Sequence, residues 1–452
     1  MLFERIESEG LAHYSYLIGD GNQAAVIDPR RDVGAYVTGA AQAGMRITHI
    51  LETHRNEDYV IGSLELAART GAAMLHSGHD DLQYGYGDPI QDGETVTVGR
   101  LRLEPLHTPG HTLGHMSYLL HDPDGKPWIV FTGDALFAGD VGRTDFYGRD
   151  RIEEITSLLY DTLFDTILPL GDEVIVCPAH GAGSACGSAI AERTWTTIGL
   201  ERKYNPRLQY TDKRTFTANV GEVLEYPPYF RMMERLNLEG PLVIGGLPCV
   251  PPLRAQDFAA QATDGQVVDT RMELGFSAGH VPGALSIPEP RLSSFAGWFL
   301  SYDRPVLLVT ESNDVSNPLR ALTRMGYDNV AGYLSGGMRA WHTAGLPSER
   351  IGTVTVQELC DLLDADHEPW ILDVRSDEEV ERNEIPTAHH LHLTQLPERM
   401  DDVVAGEHIY VFCGSGLRSM IAASLLRRAG YDGVTVVLGG LAGWSSVTCP
   451  LE

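Results

Sequence analysis

The sequence predicts an α/β protein: a β-sandwich covered by helices, followed by two smaller α/β units with parallel sheets. Two observations carry this. The first half alternates β-rich blocks with helical stretches, the pattern of a sandwich sheathed by helices. The second half repeats itself. Val268-Asp269-Thr270-Arg271 is matched by Leu372-Asp373-Val374-Arg375, and Gly326-Tyr327-Asp328-Asn329-Val330 by Gly430-Tyr431-Asp432-Gly433-Val434, both 104 residues on. Each copy closes on a Gly-Gly turn and a tryptophan, Gly336-Gly337 to Trp341 and Gly439-Gly440 to Trp444. A period this long, with βα alternation inside it, is a duplicated domain and not a solenoid. The length of 452 residues agrees, being too great for one core.

Taken in order, residues 14–19 and 24–28 flank Asp20-Gly21-Asn22, a hairpin signal. A helical stretch, a strand at 47–52, a polar loop and a helix from about Val60 follow. A second β-rich block runs over 95–131, with turns at Pro109-Gly110 and 123–125. Residues 226–230 and 240–252 are rich in Pro and Gly and read as linker, around a short helix or turn at 231–238. The expected division is therefore 1–235 for the first domain, 236–250 for a linker, 251–347 for the first repeat and 352–452 for the second.

Lys and Arg number 34 against 62 Asp and Glu, a net charge of −28. Such a surface repels phosphate backbones and anionic lipid, so neither nucleic acid nor a membrane is an expected partner. The first twenty residues carry charges every few positions and no continuous apolar stretch, and no run of eighteen apolar residues occurs. Six cysteines are scattered with no CxxC pair, in a chain large enough to need no disulfide framework. A reducing cytoplasm is the expected compartment.

Polar residues gather at the ends of apolar strands in the first half. Asp28 ends one strand. Thr53-His54-Arg55-Asn56-Glu57-Asp58-Tyr59 follows the next. Thr108-Pro109-Gly110-His111-Thr112 sits in a tight turn, while Phe131-Thr132-Gly133-Asp134 and Pro178-Ala179-His180-Gly181 end two more. In this order the elements resemble the metallo-β-lactamase fold, an αββα sandwich whose signature is Thr-His-x-His-x-Asp-His followed by single His, Asp and His ligands. The resemblance covers about residues 1–230. Asn56 stands at the second histidine of the signature and Tyr59 at the last, so a dinuclear zinc site is disfavoured. His54, His111 and Asp134 remain, two histidines and a carboxylate with open positions, a set that suits mononuclear Fe(II), with Zn the alternative.

Among metallo-β-lactamase folds, persulfide dioxygenases use this subset. The stretches 132–137, 142–146 and 180–187 are similar to bacterial fusions of such an enzyme to rhodanese domains. Asp58 and His180, the family's second-metal residues, are expected as hydrogen-bonding supports, and Tyr59 as packing or a donor to substrate. Asp28 is expected to order the His54 loop. Arg143 either grips a substrate carboxylate or pairs with a structural Asp.

In the second repeat a buried strand leads into Cys413-Gly414-Ser415-Gly416-Leu417-Arg418-Ser419 and then a helix. A strand, a Gly-bearing loop and a helix N-terminus make an anion cradle, and a cysteine there is favoured as a thiolate. The loop resembles a rhodanese active site: Cys413 would carry the sulfane sulfur, Arg418 would grip an oxyanion, and Gly414, Ser415, Gly416 and Leu417 would bind substrate. In the first repeat the same offset puts Val309 at the position of Cys413, followed by Thr310-Glu311-Ser312. That module is expected to be a silent rhodanese-like domain.

The resemblance implies oxidation of a low-molecular-weight thiol persulfide by O2 to sulfite and thiol. It further implies sulfane-sulfur transfer through Cys413 with thiosulfate or sulfite, a role in sulfide detoxification, and a fold that often forms dimers. Two rivals stand beside it: a glyoxalase II-like thioester hydrolase, which needs two metals, and a metal-free scaffold for sulfur relay.

Overall fold

The computed structural model describes residues 1–79, 82–187, 189–364, 368–385 and 387–445. They fall into two compact units, Met1–Pro248 with Arg320–Gly326, and Cys249–Leu319 with Tyr327–Glu452.

The first unit holds two six-stranded sheets. One runs in chain order through Leu2–Ser8, His13–Asp20, Gln23–Ile27, Arg46–Leu51, Ala73–Ser77 and Asp88–Ile90. The other runs through Val96–Val98, Leu101–His107, Met116–His121, Pro127–Gly133, Ile175–Pro178 and Thr196–Thr197. The period-2 alternation of the sequence decides which side chain faces which layer. Tyr16, Ile18, Ala25, Ile27, Tyr118, Leu120, Ile129 and Phe131 pack between the sheets. Leu17, Ala24 and Val26 point the other way, onto Tyr36, Ala40 and Leu66 of the helices Gly34–Gln42 and Ser63–Thr70. Leu119, Val130 and Val176 do the same for Leu159 of the helix Ile152–Asp161 and Phe216 of Lys213–Val220. The result is an αββα sandwich. The hairpin closes on Asp20 paired with Gln23, leaving Gly21 and Asn22 as the turn.

The short helix or turn expected at 231–238 is a helix. The helix Phe230–Glu239 buries Phe230, Met233 and Asn237, and the first unit continues to Pro248. The Pro and Gly residues around it mark tight turns, while its own apolar face finds a core. Arg324 also groups with the first unit, where it pairs with Asp32 at 2.8 Å and Glu9 at 3.2 Å.

The second unit contains two five-stranded sheets. Their orders are Pro252–Leu253, Val330–Leu334, Val306–Val309, Gln266–Asp269, Leu285–Ser286 and Gly352–Thr355, Val434–Leu438, Ile409–Phe412, Trp370–Asp373, His389–His390. Every pairing in both is parallel, as βαβ alternation requires. The strand register corrects the repeat alignment by one residue. Val268 pairs with Leu308, and Leu372 with Val411. Thr310, and not Val309, therefore stands where Cys413 stands.

Among the described cysteines, Cys177, Cys186, Cys249 and Cys413 carry free thiols, whereas Cys360 is disulfide-bonded. Among the described residues no helix is long and apolar enough to cross a membrane.

Candidate metal centre and cysteine loop

Three loops at one edge of the sandwich bring His54, His111 and Asp134 together. His54 follows the strand Arg46–Leu51, His111 lies in the turn between Leu101–His107 and Met116–His121, and Asp134 follows Pro127–Gly133. All three are buried, with ligand atoms within 4.8 Å of one another. Asp134 Oδ2 lies 3.7 Å from His54 Nε2 and 3.5 Å from His111 Nε2.

The supports of these residues fix which ring atom faces the pocket. Asp28, held in the left-handed region at φ 48°, accepts hydrogen bonds from the Thr53 N–H at 2.8 Å and the Thr53 hydroxyl at 2.7 Å. Thr53 Oγ1, its proton given to Asp28, lies 2.9 Å from His54 Nδ1 and so accepts from it. His111 Nδ1 donates to the Arg143 carbonyl at 3.0 Å. In their neutral forms both rings therefore turn an Nε2 lone pair to the pocket, and neither Nε2 has a hydrogen-bond partner. This is the tautomer a metal needs. Gly133 makes the approach possible: its φ is 50°, and a Cβ there would sit 2.5 Å from His115 Nε2 and 2.7 Å from Thr53 Oγ1. His115 Nε2 accepts the Asp134 N–H at 3.0 Å while its Nδ1 faces Thr108 Oγ1 at 2.8 Å.

The electrostatics ask for positive charge at the centre. Burial keeps His54 neutral, well below the ordinary imidazole range. Burial also lowers His111, but the Glu57 and Asp134 carboxylates outweigh it and raise this group. Burial pushes Asp28 up to about 7, opposed by its bonds to Thr53. The orphaned nitrogens, their spacing and the nearby carboxylates fit a divalent ion bound by two imidazoles and a carboxylate.

His180 lies between two carboxylates. Its Nδ1 is 2.8 Å from Asp134 Oδ1, and its Nε2 is 2.9 Å from Asp58 Oδ2. Burial lowers its pKa, yet Asp134 and Asp58 raise it well above the ordinary value. Asp58, His180 and Cys186 also form a cluster of potential ligand atoms. Burial, with Asp58, Asp134 and Glu57 nearby, pushes the Cys186 thiol up. Asn56 folds its amide back onto the His54 carbonyl at 3.3 Å. Tyr59 is buried with its ring 4.0 Å from that of His13, and its phenol is held neutral by burial.

Arg143 takes the structural one of its two expected roles. It pairs bidentately with Asp145 at 2.7 and 2.8 Å and donates to the carbonyls of Ala185, Leu224 and Glu225. Its donors are committed, so it is removed from the substrate-binding set. Two residues to which the sequence alone assigns no role belong here. Asn237 donates to the Asn56 and Tyr59 carbonyls at 2.7 and 2.8 Å and accepts from the Ile61 N–H at 2.9 Å, clamping the ligand loop. Its only sequence signal was a polar residue on the buried stripe of a short helix. Glu57, inside the motif, turns its carboxylate into the pocket: Oε2 lies 3.7 Å from His54 Nε2 and 3.6 Å from His111 Nε2.

In the second repeat Cys413 follows the strand Ile409–Phe412. Its Sγ accepts from the backbone N–H groups of Gly416 at 3.1 Å and Ser419 at 3.4 Å, at the start of the helix Leu417–Arg428. Gly440 closes behind it at φ 48°, where a Cβ would come within 2.1 Å of the Cys413 carbonyl. That carbonyl accepts from the Leu441 N–H at 2.9 Å. Ser415 is exposed on the loop, and Gly414 and Leu417 are half-buried.

Arg418 is not the free oxyanion grip expected of it: both terminal nitrogens pair with Glu379, at 2.5 and 2.6 Å. Glu379 also completes a capping box with Ser376, and Arg418 first among its partners holds its carboxyl down at about 2. The signal for Glu379 was present as Ser-x-x-Glu at a helix start.

A model of the metallo-beta-lactamase superfamily matches residues 9–180, and one of the rhodanese-like domain matches 254–344 and 355–447. The chain is 30% identical to a metallo-beta-lactamase crystal structure from Staphylococcus aureus subsp. aureus COL. That match covers 74% of this chain and 99% of that one, with a TM-score of 0.66. A mitochondrial persulfide dioxygenase of Bos taurus is 29% identical over 236 residues, half of this chain and 78% of the relative. Hydroxyacylglutathione hydrolase GloC of Haemophilus influenzae is also 29% identical, over 43% of this chain and 91% of the relative.

Proposed function

Since this chain belongs to the metallo-β-lactamase superfamily and carries two rhodanese-like domains behind that domain, we propose that it oxidises a low-molecular-weight thiol persulfide with O2, releasing sulfite and thiol, and separately transfers sulfane sulfur through Cys413. The observation that carries the first half is the pocket itself. His54, His111 and Asp134 converge on one point, while the residues that would complete a second metal, Asn56 and Tyr59, turn to a backbone carbonyl and to His13. A single Fe(II) bound there supplies open positions where a sulfur anion and O2 meet.

The chain's own groups do the rest. Asp28 and Thr53 orient His54, and the Arg143 carbonyl orients His111. His180 holds both Asp134 oxygens, at 2.8 and 2.9 Å. In the other half, the N–H groups of Gly416 and Ser419 donate to the Cys413 sulfur and aim it out of the loop. It attacks the outer sulfur of a persulfide or thiosulfate, displacing thiol or sulfite, and becomes Cys413–S–SH.

The rival reading, a thioester hydrolase, is favoured by one observation: the hydroxyacylglutathione hydrolase is as similar as the persulfide dioxygenase. Metal analysis after oxygen-free purification, with oxygen uptake on glutathione persulfide, separates them. One iron per chain and uptake are expected. Two zinc ions and hydrolysis of a hydroxyacylglutathione would replace the proposal with the hydrolase, and a chain that holds no metal would leave the relay scaffold.

A further inference from the structure

The rim of the cysteine loop is built around one ion pair. Arg418 turns its fork onto Glu379, Nη1 to Oε2 at 2.5 Å and Nη2 to Oε1 at 2.6 Å. The pair lies against Gly414, the residue after Cys413. A Cβ there would stand 3.2 Å from Arg418 Nη2 and 3.6 Å from Glu379 Oε1. The two side chains are 24% and 33% exposed, so both are open to a molecule approaching the loop.

Glu379 is fixed in this position from behind. Its Oε2 also accepts from the Ser376 N–H at 3.0 Å and from the Ser376 hydroxyl at 3.2 Å, and its carbonyl accepts from Arg375 at 3.3 Å. Arg375 is itself buried and paired with Asp373. The helix that Ser376 caps carries two further carboxylates in its first turn, Asp377 and Glu378. His392, which feels the Arg418 charge, is held below the ordinary imidazole range by burial first and by that charge second. The one cation of the loop 413–419 is thus matched by an anchored carboxylate.

Charge decides between the sulfur donors open to Cys413. The thiolate is the attacking form. On a persulfide in its protonated form, R–S–SH, it attacks the outer sulfur. The S–S bond breaks, its electron pair leaves with R–S⁻, and the outer sulfur keeps its proton as Cys413–S–SH. A single negative charge is present at the reacting sulfurs throughout. The same attack on thiosulfate expels sulfite and brings a dianion against the thiolate, where like charges repel. A guanidinium free to grip the sulfonate oxygens would offset that repulsion, and one already paired bidentately does so far less.

We propose that Glu379 sets the donor specificity of the Cys413 site: by holding Arg418 it puts dianionic thiosulfate at a disadvantage and selects persulfides. This rests on the reading of Cys413 as a sulfur carrier and narrows its substrate class.

The test follows the loading of Cys413 in the full-length chain without oxygen, from glutathione persulfide and from thiosulfate at equal concentration, read as the mass gain of one sulfur atom. Wild type is expected to load faster from the persulfide. Glu379→Gln keeps an oxygen for the cap at Ser376 and removes the charge that holds Arg418. The ratio of thiosulfate to persulfide rates should rise at least about tenfold. Replacing Arg418 as well, in Glu379→Gln with Arg418→Met, should cancel the rise. A merely structural role would move both donors together, so an unmoved ratio in Glu379→Gln overturns the proposal. A rise that persists without Arg418 overturns it too. The wild-type ratio needs no variant, and faster loading from thiosulfate overturns the selectivity by itself. A wild-type chain that loads Cys413 from neither donor overturns the sulfur-carrier reading and this inference with it.

Discussion

In the metal pocket, His54, His111 and Asp134 come from three separate loops and are aimed by partners on still others; in the cysteine loop, Cys413 to Ser419 is one uninterrupted run whose own backbone N–H groups hold the sulfur. The first site depends on side chains oriented at a distance, Asp28 through Thr53 and the Arg143 carbonyl on His111. The second depends on backbone conformation, with Gly416 and Gly440 both at positive φ. A side-chain site fails by losing a ligand or its orienter. A backbone site fails by losing its nucleophile or the conformation of its loop.

That contrast can be broken most forcefully at the two reactive atoms. His111→Ala should lose stoichiometric metal and reduce oxygen uptake to background, with thiosulfate–sulfite exchange unchanged. Cys413→Ser should do the reverse, cutting exchange by at least about a thousandfold. If either substitution abolishes both activities, the sites are not independent. The next effect in size concerns orientation at a distance. Asn237→Ala removes three hydrogen bonds from the ligand loop and should cost about 3 kcal/mol in unfolding free energy, with metal affinity falling about tenfold. Chemical denaturation and metal competition read these two losses.

A smaller effect is expected at the rim of the cysteine loop. The Glu379 carboxyl is held near 2 by Arg418, below its ordinary value of 4.5. Its ion pair and cap therefore stabilise the fold fully above about pH 4.5, and the contribution disappears as the pH falls toward 2. The difference in Tm between wild type and Glu379→Gln should close over that window. A gap that stays constant with pH would show that the ionised pair contributes nothing. The pair is half-exposed, so the gap is modest at any pH.

Last, Thr310→Cys in a Cys413→Ser background should restore no exchange. The helix of the first repeat, Ser316–Arg324, starts six residues after Thr310, against four between Cys413 and Leu417. Its loop carries Glu311 where the second has Gly414, and Asp314 further along, so an anionic donor meets like charge. Measurable exchange in that variant would show that the thiol alone is enough.

The comparison also explains what could be read from the sequence. The cysteine loop was legible almost whole, because contiguous residues with glycines at fixed places dictate their own backbone. The ligands His54, His111 and Asp134 were legible because each ends an apolar strand. Their supporting residues were less so. Asp28 was foreseen from its place at a strand end, whereas Asn237 lies on a short helix whose buried face no local pattern revealed. Glu57 was hidden by the spacing of the motif, which directs attention to positions 54, 56, 58 and 59. The turning back of Asn56 that brings it inward is a tertiary effect. The repeat offset held along the strand Trp370–Asp373 yet slipped by one at Ile409–Phe412, since pattern matching cannot see a change in loop length that the sheet register absorbs.

The all-parallel sheets of the second unit have a consequence for the order in which the chain is made. A parallel neighbour cannot be reached by a hairpin, so every pairing waits for a crossover to be synthesised and folded. The strand bearing Cys413 lies between Trp370–Asp373 and Val434–Leu438, and the N–H that seats its carbonyl belongs to Leu441. During translation the thiol thus leaves the ribosome well before the segment that encloses it. The sulfur is open to oxidants on the nascent chain and becomes sheltered only when the second Gly-Gly turn has closed.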